Sequence, residues 1–454
     1  MTQRTANYQL KKLIDESGLP YDGVARAVRA IASESGQRLG TNKSAVHHWT
    51  LGATPTGQTP GYLAEALSRR LGRRITREDL GLGSPTGGED ESIGLTLDFD
   101  PIETLTAIGS ADVNRRRFLA ASAYSMAAAT LPLESVQEAA ARTRTVSGGA
   151  VAGHADVAAV RDMVKLFMDM DERHGGQHGR SAFVQYLVTD IADLCRGRFA
   201  SEEIRAEALS VASAGAHLAG WKAYDSGEQG LAQRYYVQSL ALARASGIPG
   251  QDGFVMRTMS QQGLKLHRPE HCLALAETGW DRAKGRVGSQ VEALFAITHA
   301  HALAKTGQVP QALTDVDRAH AALVAGADDD VPFWALVWGP PAATVHSRSA
   351  KVFETLGDPG NSARSYATAA ASRPGATYAR IIALDLVAEA KQGQIEQACT
   401  TWGRAIDTMA GVKSTRTLKA VRTLRSDLRP YRSRGVRVAA ELDEHARLFL
   451  AHHR

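Results

Sequence analysis

The sequence predicts an all-α protein. Two features of its composition and the spacing of its apolar residues support this prediction. Apolar residues make up 44% of the 454 residues, which is enough for a large buried core. Aromatic residues make up only 6%, and such a chain suits packed helices better than β-sandwiches, which favour aromatic and β-branched strands. Apolar residues also recur three and four positions apart, which is the helical period. The length fits two to four domains or one repeat array.

Residues 1–82 are predicted to form a small helical domain, called the head below. Apolar spacing together with glycine and proline stops predicts helices over residues 8–17, 21–33, 43–51 and 61–71. Residues 1–81 contain twelve basic and seven acidic residues, so their excess of five equals the net charge of the whole chain, +5. A basic patch of this kind fits a polyanionic partner, although a solvated helix face explains it equally well.

The third predicted helix has two contrasting faces. Val46 and Trp49 are three residues apart and are expected to face the core. The opposite side then holds short polar and cationic side chains and no carboxylate. A helix that enters the major groove of DNA needs such a face, because it must donate to bases and avoid repelling phosphates. We expect Lys43, Ser44 and His47 to read bases.

Other side chains of the head are expected to support this contact. Asn42 and His48 are the next candidates for base reading, and Asn42 or Thr41 is expected to cap the helix. The candidates for phosphate contact, which would set most of the affinity, are Arg26, Arg29, Arg38 and Arg69.

The spacing of Val46, Trp49, Gly52 and Pro55, set among these helices, resembles the lambda-repressor/Cro-type helix-turn-helix, known as the XRE family. The segments SAVHHWTLGATP and YLAEALSRRLGRRITREDLGL are still more similar to a group of actinobacterial regulators. Those proteins join such a head to a helical-repeat tail and influence development and antibiotic production. The resemblance implies a sequence-specific regulator that binds double-stranded DNA. A head that mediates protein contacts instead is the alternative.

Two segments separate the head from the tail. Residues 83–113 are predicted to be an acidic flexible linker, because residues 83–103 hold six acids, no base and many Gly, Ser and Pro residues. Residues 114–154 are predicted to be an apolar helix and connector. The helix, from Phe118 to Leu133, follows Asn114-Arg115-Arg116-Arg117, which resembles a twin-arginine export signal. Such a signal acts at an N-terminus, so we expect a buried or docking helix rather than an export or membrane role.

Residues 155–454 are predicted to form a helical repeat domain, called the tail below. Small residues and a turn residue recur at similar spacing in four or five copies. The turn residues are Gly227, Pro269, Gly307, Gly357 and Gly393. These offsets resemble tetratricopeptide repeats, which imply an α-solenoid whose concave face binds an effector. A non-repeating helical bundle is the alternative.

The expected effector is a peptide, a small molecule or a protein. Gln262, His299 and His346 are candidate contacts, because they are polar residues on presumed first helices of repeats. The tail is also expected to make the protein a homodimer, since two heads can read a palindrome. The basic stretch 413–437, with nine basic residues and one acid, is expected to be the polar face of a capping helix or a second polyanion contact.

Several functions have no support in the sequence. Cys195, Cys272 and Cys399 lie far apart, which excludes a disulfide framework and favours a reducing cytosol. His174 and His178 have the spacing of a zinc pair, but the glycines around them predict a turn. We expect no metal, no cofactor, no membrane segment and no enzymatic activity, since phosphate-binding and nucleophile motifs are missing. The expected function is therefore a cytoplasmic, nucleoid-associated transcription regulator, with a protein–protein scaffold as the alternative.

Overall fold

This computed structural model describes residues 5–34, 37–71, 73, 75–82, 94–95, 100–113, 151–264, 269–372, 395–409, 411–412 and 414–452. Over these ranges the chain is helical apart from its turns and connections and one parallel pair of two-residue strands, β1 (Val151–Ala152) and β2 (Arg198–Phe199). This confirms the predicted all-α class. No helix in the described ranges has the length and apolar character needed to cross a membrane.

The head contains four helices close to the predicted ones. They are α1 (Tyr8–Ser17), α2 (Tyr21–Glu34), α3 (Lys43–Thr50) and α4 (Thr59–Leu71). The Asn7 side chain caps α1 by accepting the backbone N–H of Leu10 at 2.9 Å, and Gly18 ends the helix with φ +66°. Leucine, isoleucine and valine side chains from all these helices meet in one core that includes Leu10, Val28 and Leu63.

The linker predicted over 83–113 differs from the structure in its last 13 residues. Pro101–Val113 forms helix α5, whose N-terminus is capped by the Asp100 carboxylate. Ile102, Leu105 and Ile108 lie on one stripe of this helix and are buried in the core of the tail. Burial of these three apolar side chains stabilises the helix despite the acidic composition of the segment. The predicted helix 118–133 lies outside the described residues.

The first part of the tail is formed by one long helix and several short elements. These are α6 (His154–His174), α7 (Arg180–Tyr186), a π-helical turn (Leu187–Ile191) and α8 (Ala192–Arg196). Helix α6 packs against the long helix that follows β2, and α7 packs against α5. Helix α5 therefore lies against the first helices of the tail.

The central part of the tail consists of four consecutive helical hairpins. Their helices are α9 (Glu202–Asp225), α10 (Gln229–Ser246), α11 (Gln251–Leu264), α12 (Pro269–Ala283), α13 (Ser289–Lys305), α14 (Val309–Ala325), α15 (Pro341–Leu356) and α16 (Pro359–Ala371). Each odd-numbered helix packs against the next even-numbered one, and each hairpin contacts its neighbour. Of the predicted turn residues, Gly227, Gly307 and Gly357 lie in such turns with positive φ. Gly393 lies outside the described residues.

A C-terminal unit of three helices follows, with its own hydrophobic cluster. Its helices are α17 (Ile395–Thr408), α18 (Thr415–Ser433) and α19 (Arg437–His452). The basic helix α18 buries Val421, Leu424 and Leu428. Arg425 and Arg432 of this helix both pair with the buried carboxylate of Asp443, so part of its charge is neutralised within the unit.

Two glycines bring the backbones of α11 and α12 together. A Cβ atom added at Gly253 would lie 2.4 Å from the carbonyl oxygen of Gly279, and one added at Gly279 would lie 2.9 Å from the carbonyl oxygen of Gly253. The obstructing atoms belong to the backbone, so they cannot turn away as a side chain would. This close approach therefore requires glycine at both positions.

We expect Gly253→Ala to lower the free energy of unfolding by about 1–3 kcal/mol, because the helix pair must separate to admit a methyl group. The matched control is Gly403→Ala, since a Cβ at this helical position meets no atom within 4 Å. The control should raise stability by about 0.5–1 kcal/mol, because alanine loses less conformational entropy in a helix. Urea unfolding followed by circular dichroism measures both, and equal effects of the two substitutions would contradict the close approach.

Candidate nucleic-acid interface and candidate effector cavity

Helix α3 displays the two faces that the sequence predicts. Val46 is fully buried and Trp49 is 8% exposed. Lys43, Ser44 and His47 are exposed, as are Asn42 and His48. The side-chain oxygen of Asn42 accepts the backbone N–H of Ala45 at 2.9 Å, which caps the helix. The exposed face thus holds hydrogen-bond donors and imidazole rings and no carboxylate. The side-chain oxygen of Asn42 is occupied by the cap and is not available to a base.

The ends of α3 are fixed by contacts with the rest of the head. The backbone N–H of Asn7 donates to the carbonyl of Thr50 at 2.9 Å, and Arg29 donates to the carbonyl of Thr41. Gly52 has φ +92°, and a Cβ there would lie 2.2 Å from the carbonyl oxygen of Thr5. Pro55 is buried in the loop that follows. These contacts hold the exposed face of α3 in a defined orientation.

The four arginines expected at phosphates have different surroundings. Arg26 is exposed and pairs with Asp22 at 2.7 Å, and Arg38 is exposed in the connection before α3. Arg29 is half-buried and holds the start of α3 through Thr41. The Arg69 side chain is 12% exposed and pairs at 2.8 Å with Glu65, which is itself 9% exposed. A phosphate contact of Arg69 stays a prediction, and such a contact would have to compete with this ion pair.

A cavity of about 380 Å³ opens in the tail. It lies between α6, the C-terminal end of α9, residues 333–339, the first turns of α15 and residues 412–417. Residues far apart in sequence thus meet at this cavity, including the segment that leads into the C-terminal unit. Its size falls within the range of small-molecule sites, which is about 300–1,000 Å³.

Aromatic rings form one part of the cavity wall. The indoles of Trp221 and Trp338 have centroids 5.5 Å apart, and Phe333 lies beside them in the lining. The guanidinium of Arg348 lies 5.3 Å from the Trp338 ring, and that of Arg416 lies 5.2 Å from the Trp221 ring. Rings in this arrangement offer both apolar surface and attraction for cations.

Two buried aspartates lie on the same wall. Asp171 accepts hydrogen bonds from the indole N–H of Trp221 at 2.7 Å and from the ammonium of Lys222 at 3.0 Å. Burial raises the pKa of the Asp171 carboxyl, and the nearby Lys222 lowers it in part. Asp225 accepts the backbone N–H of Gly176 at 3.1 Å and the hydroxyl of Ser414 at 2.9 Å.

The histidine below the aromatic wall stays neutral. His217 bonds Thr258 at 2.9 Å, and its ring lies 6.2 Å from that of Trp338. Burial lowers the pKa of His217 to about 3, with the charge of Arg257 as the second cause. This side chain is therefore an uncharged part of the core.

The turn at residues 175–179, between α6 and α7, connects the cavity with the segment that follows the head. Gly175 and Gly176 line the cavity. Arg180, at the end of this turn, donates to Asp112 of α5 at 2.7 Å and to Glu228 at 2.6 Å. Asp112 also accepts the hydroxyl of Tyr235 at 3.0 Å. The polar contacts of this turn thus join α5, the first hairpin and the cavity.

Residues 10–83 match the model of one protein family, described as the SP15 N-terminal domain. No match is found among curated proteins. The family match covers the head from the first turn of α1 to the residue after Leu82 and leaves the tail unmatched. It is therefore a likeness of the head, and it does not extend to the whole chain.

The three residues expected to contact an effector lie apart from the cavity. Gln262 is buried and donates to the carbonyl of Gln229 at 2.8 Å, so it ties two hairpins together. His299 contacts Asp315 at 2.6 Å and packs edge-on against Trp280. His346 is half-buried with its ring 4.9 Å from that of His320, and burial lowers its pKa. None of the three lines the cavity, and their contact with an effector stays a prediction.

The predicted turn around His174 and His178 is confirmed. Helix α6 ends at His174, and the two imidazoles have centroids 4.8 Å apart. In the part of the chain that the structure describes, no group of three or more His, Cys, Asp or Glu side chains could hold a metal ion. The cavity residue Asp225 was missed from the sequence, because no local pattern brings it to this wall.

Proposed function

We propose that this chain is a sequence-specific DNA-binding transcription regulator. The observation that supports it most strongly is the exposed, carboxylate-free face of α3, where Lys43, Ser44, His47 and His48 lie opposite the buried Val46 and Trp49. Such a face can donate hydrogen bonds to base edges in the major groove without repelling the phosphates. The likeness of these residues to the XRE-type helix-turn-helix supports the same function.

The tail is proposed to be a tetratricopeptide-like solenoid that binds an effector and mediates homodimerisation. Four helical hairpins, three of which turn at Gly227, Gly307 and Gly357, support the repeat architecture. The cavity of about 380 Å³ supports an effector of small-molecule size. Dimerisation follows from the proposed DNA binding, because one small head buries little surface and two heads can read both halves of a palindrome.

Mobility-shift titrations at 50 and 200 mM salt test the DNA-binding proposal, with a site selected from genomic fragments by the purified full-length protein. We expect one preferred site, and an affinity that falls by about 10³-fold or more between the two salt concentrations if the dimer contacts six or more phosphates. An unrelated fragment of equal length is the control. Binding to neither fragment at low salt would contradict the proposal and favour the protein scaffold.

A further inference from the structure

One buried carboxylate in the tail differs from the others. Asp225 is 4% exposed and lines the cavity, and within the described ranges it accepts hydrogen bonds only from the neutral donors Gly176 N–H and Ser414 Oγ–H. In the described part of the chain, every other buried carboxylate pairs with a side-chain cation. These pairs are Glu65–Arg69, Asp112–Arg180, Asp171–Lys222, Asp252–Arg282, Asp315–Arg318 and Asp443–Arg425.

The lack of a cation partner among the described residues leaves Asp225 capacity for a ligand. A carboxylate has about four acceptor positions, and two of them are used here by protein donors. A buried charge is unfavourable unless an opposite charge compensates it. An ammonium group in the cavity would supply that charge together with several N–H donors.

The remaining lining fits the body of such a ligand. The carboxylates of the lining are Asp169, Asp171, Glu172 and Asp225, and its cations are Lys165 and Arg348. Asp171 is already paired with Lys222, so Asp225 is the buried carboxylate of the lining that lacks a cation among the described residues. The rings of Trp221, Trp338 and Phe333 provide apolar surface next to these acids. The guanidinium of an arginine of the protein already lies within 5.3 Å of each indole ring. We therefore expect the rings to contact the apolar part of the ligand and not its ammonium group.

We propose that this cavity binds a small organic amine, with its ammonium group at Asp225 and its apolar body between the aromatic rings. The volume of about 380 Å³ fits a molecule of one or two rings. This inference deepens the proposed function, because the amine would be the effector of the regulator. The binding event itself does not require DNA and can be measured in its absence.

The position of Asp225 also indicates how the amine would be detected by the rest of the chain. The same carboxylate holds Gly176 of the turn and Ser414, which precedes the C-terminal unit. A ligand that competes for these oxygens would shift the turn, whose Arg180 binds Asp112 of α5. The head is attached to the tail through the segment that ends in α5.

The test uses full-length protein labelled with 5-fluorotryptophan and three probes of similar shape: phenethylamine, 3-phenylpropanoate and 2-phenylethanol. Fluorine NMR follows Trp221 and Trp338, whose signals are assigned with Trp221→Phe and Trp338→Phe. We expect phenethylamine to shift both signals with an affinity about 30-fold or more above that of the other probes, because only it supplies the missing charge. The signals of the other tryptophans should shift less.

The variant Asp225→Asn keeps an acceptor oxygen and removes the charge, so it should lose the preference for phenethylamine. Asp281→Asn is the matched control, since Asp281 is an exposed aspartate of α12 outside the lining, and it should leave the preference unchanged. The inference is overturned if the carboxylate or alcohol binds as tightly as the amine, or if Asp225→Asn keeps the preference. It is also overturned if no probe shifts these signals at about 10 mM. The comparison of the three probes in the unmodified protein remains a valid test even if the variant fails to fold. DNA binding is measured separately by mobility shift, so a failure of the amine proposal can be distinguished from a failure of the DNA-binding proposal.

Discussion

Replacing Arg180 with methionine should lower the free energy of unfolding by about 3–5 kcal/mol, because the substitution leaves the buried carboxylate of Asp112 without its cation. The side chains of Arg180 and Asp112 are only 4% and 6% exposed. Glu228, the second partner of Arg180, is 34% exposed and keeps water as an alternative partner. The loss should therefore arise mainly from Asp112. Urea unfolding of the variant and the unmodified protein measures it.

The control for this experiment is Arg205→Met, because Arg205 pairs at 3.9 Å with Glu202, whose side chain is 88% exposed. An exposed pair of this kind contributes about 0–1 kcal/mol. Adding Asp112→Asn to Arg180→Met should recover part of the lost stability, since the stranded charge is removed. A loss equal to that of the control, or no recovery in the double variant, would show that the pair is not a determinant of stability.

The pH dependence of stability provides an independent test of the Arg180–Asp112 pair. Burial raises the pKa of the Asp112 carboxyl, while Arg180 is the largest opposing influence. Without Arg180 the pKa of Asp112 in the folded state should rise further above its unfolded value. A carboxyl with a raised folded pKa binds its proton more readily in the folded state, so it favours folding at low pH. The stability gap between the variant and the unmodified protein should therefore narrow as the pH falls from 7 towards 5.

The helices of the head could be predicted because their signals are local. In α1 the apolar residues Leu10, Leu13 and Ile14 lie on one face, and Gly18 supplies the left-handed turn that ends the helix. The faces of α3 were predicted for the same reason, since Val46 and Trp49 are three residues apart. The observed boundaries of the four helices lie within two residues of the predicted ones.

Helix α5 could not be separated from the linker by composition. Residues 83–103 are acidic and rich in Gly, Ser and Pro, which is typical of a flexible segment. The stripe of Ile102, Leu105 and Ile108 spans only two turns and is a weak sequence signal. A helix of 13 residues depends on packing for its stability. The partner surface of this stripe on α7 and α10 is formed by residues more than 60 positions away.

The cavity was beyond prediction for a similar reason. Its wall combines residues 165–176 of the α6 region with residues 333–348 and 412–417, and no repeat or motif encodes that meeting. A polar residue on a helix can face a neighbouring helix as well as a ligand, and Gln262 faces Gln229. The missing cation beside Asp225 can be recognised only when the partners of all buried carboxylates are compared.

The double variant Lys43→Ala with His47→Ala should abolish the preference for the selected DNA site. Both side chains are exposed on α3 and lie outside the head core, and the ring of His47 lies 5.7 Å from that of Tyr21 at the edge of this core. We therefore expect the fold to be unchanged. Each base contact favours the correct base over a wrong one by about 1–3 kcal/mol. The loss of two such contacts should therefore reduce the site preference by about 30-fold to 10⁴-fold. Footprinting on the selected site and on an unrelated fragment measures this preference.

The matched control is Lys305→Ala with His154→Ala, which removes the same residue types from exposed positions of the tail. This control should keep the footprint. The remaining affinity of the α3 variant should still fall steeply with salt, because the arginines expected at phosphates are intact. If the α3 variant protects the same site as the unmodified protein, then α3 does not read the bases. A steep salt dependence without site preference would instead separate the two roles, with phosphate contacts setting affinity and α3 selecting the sequence.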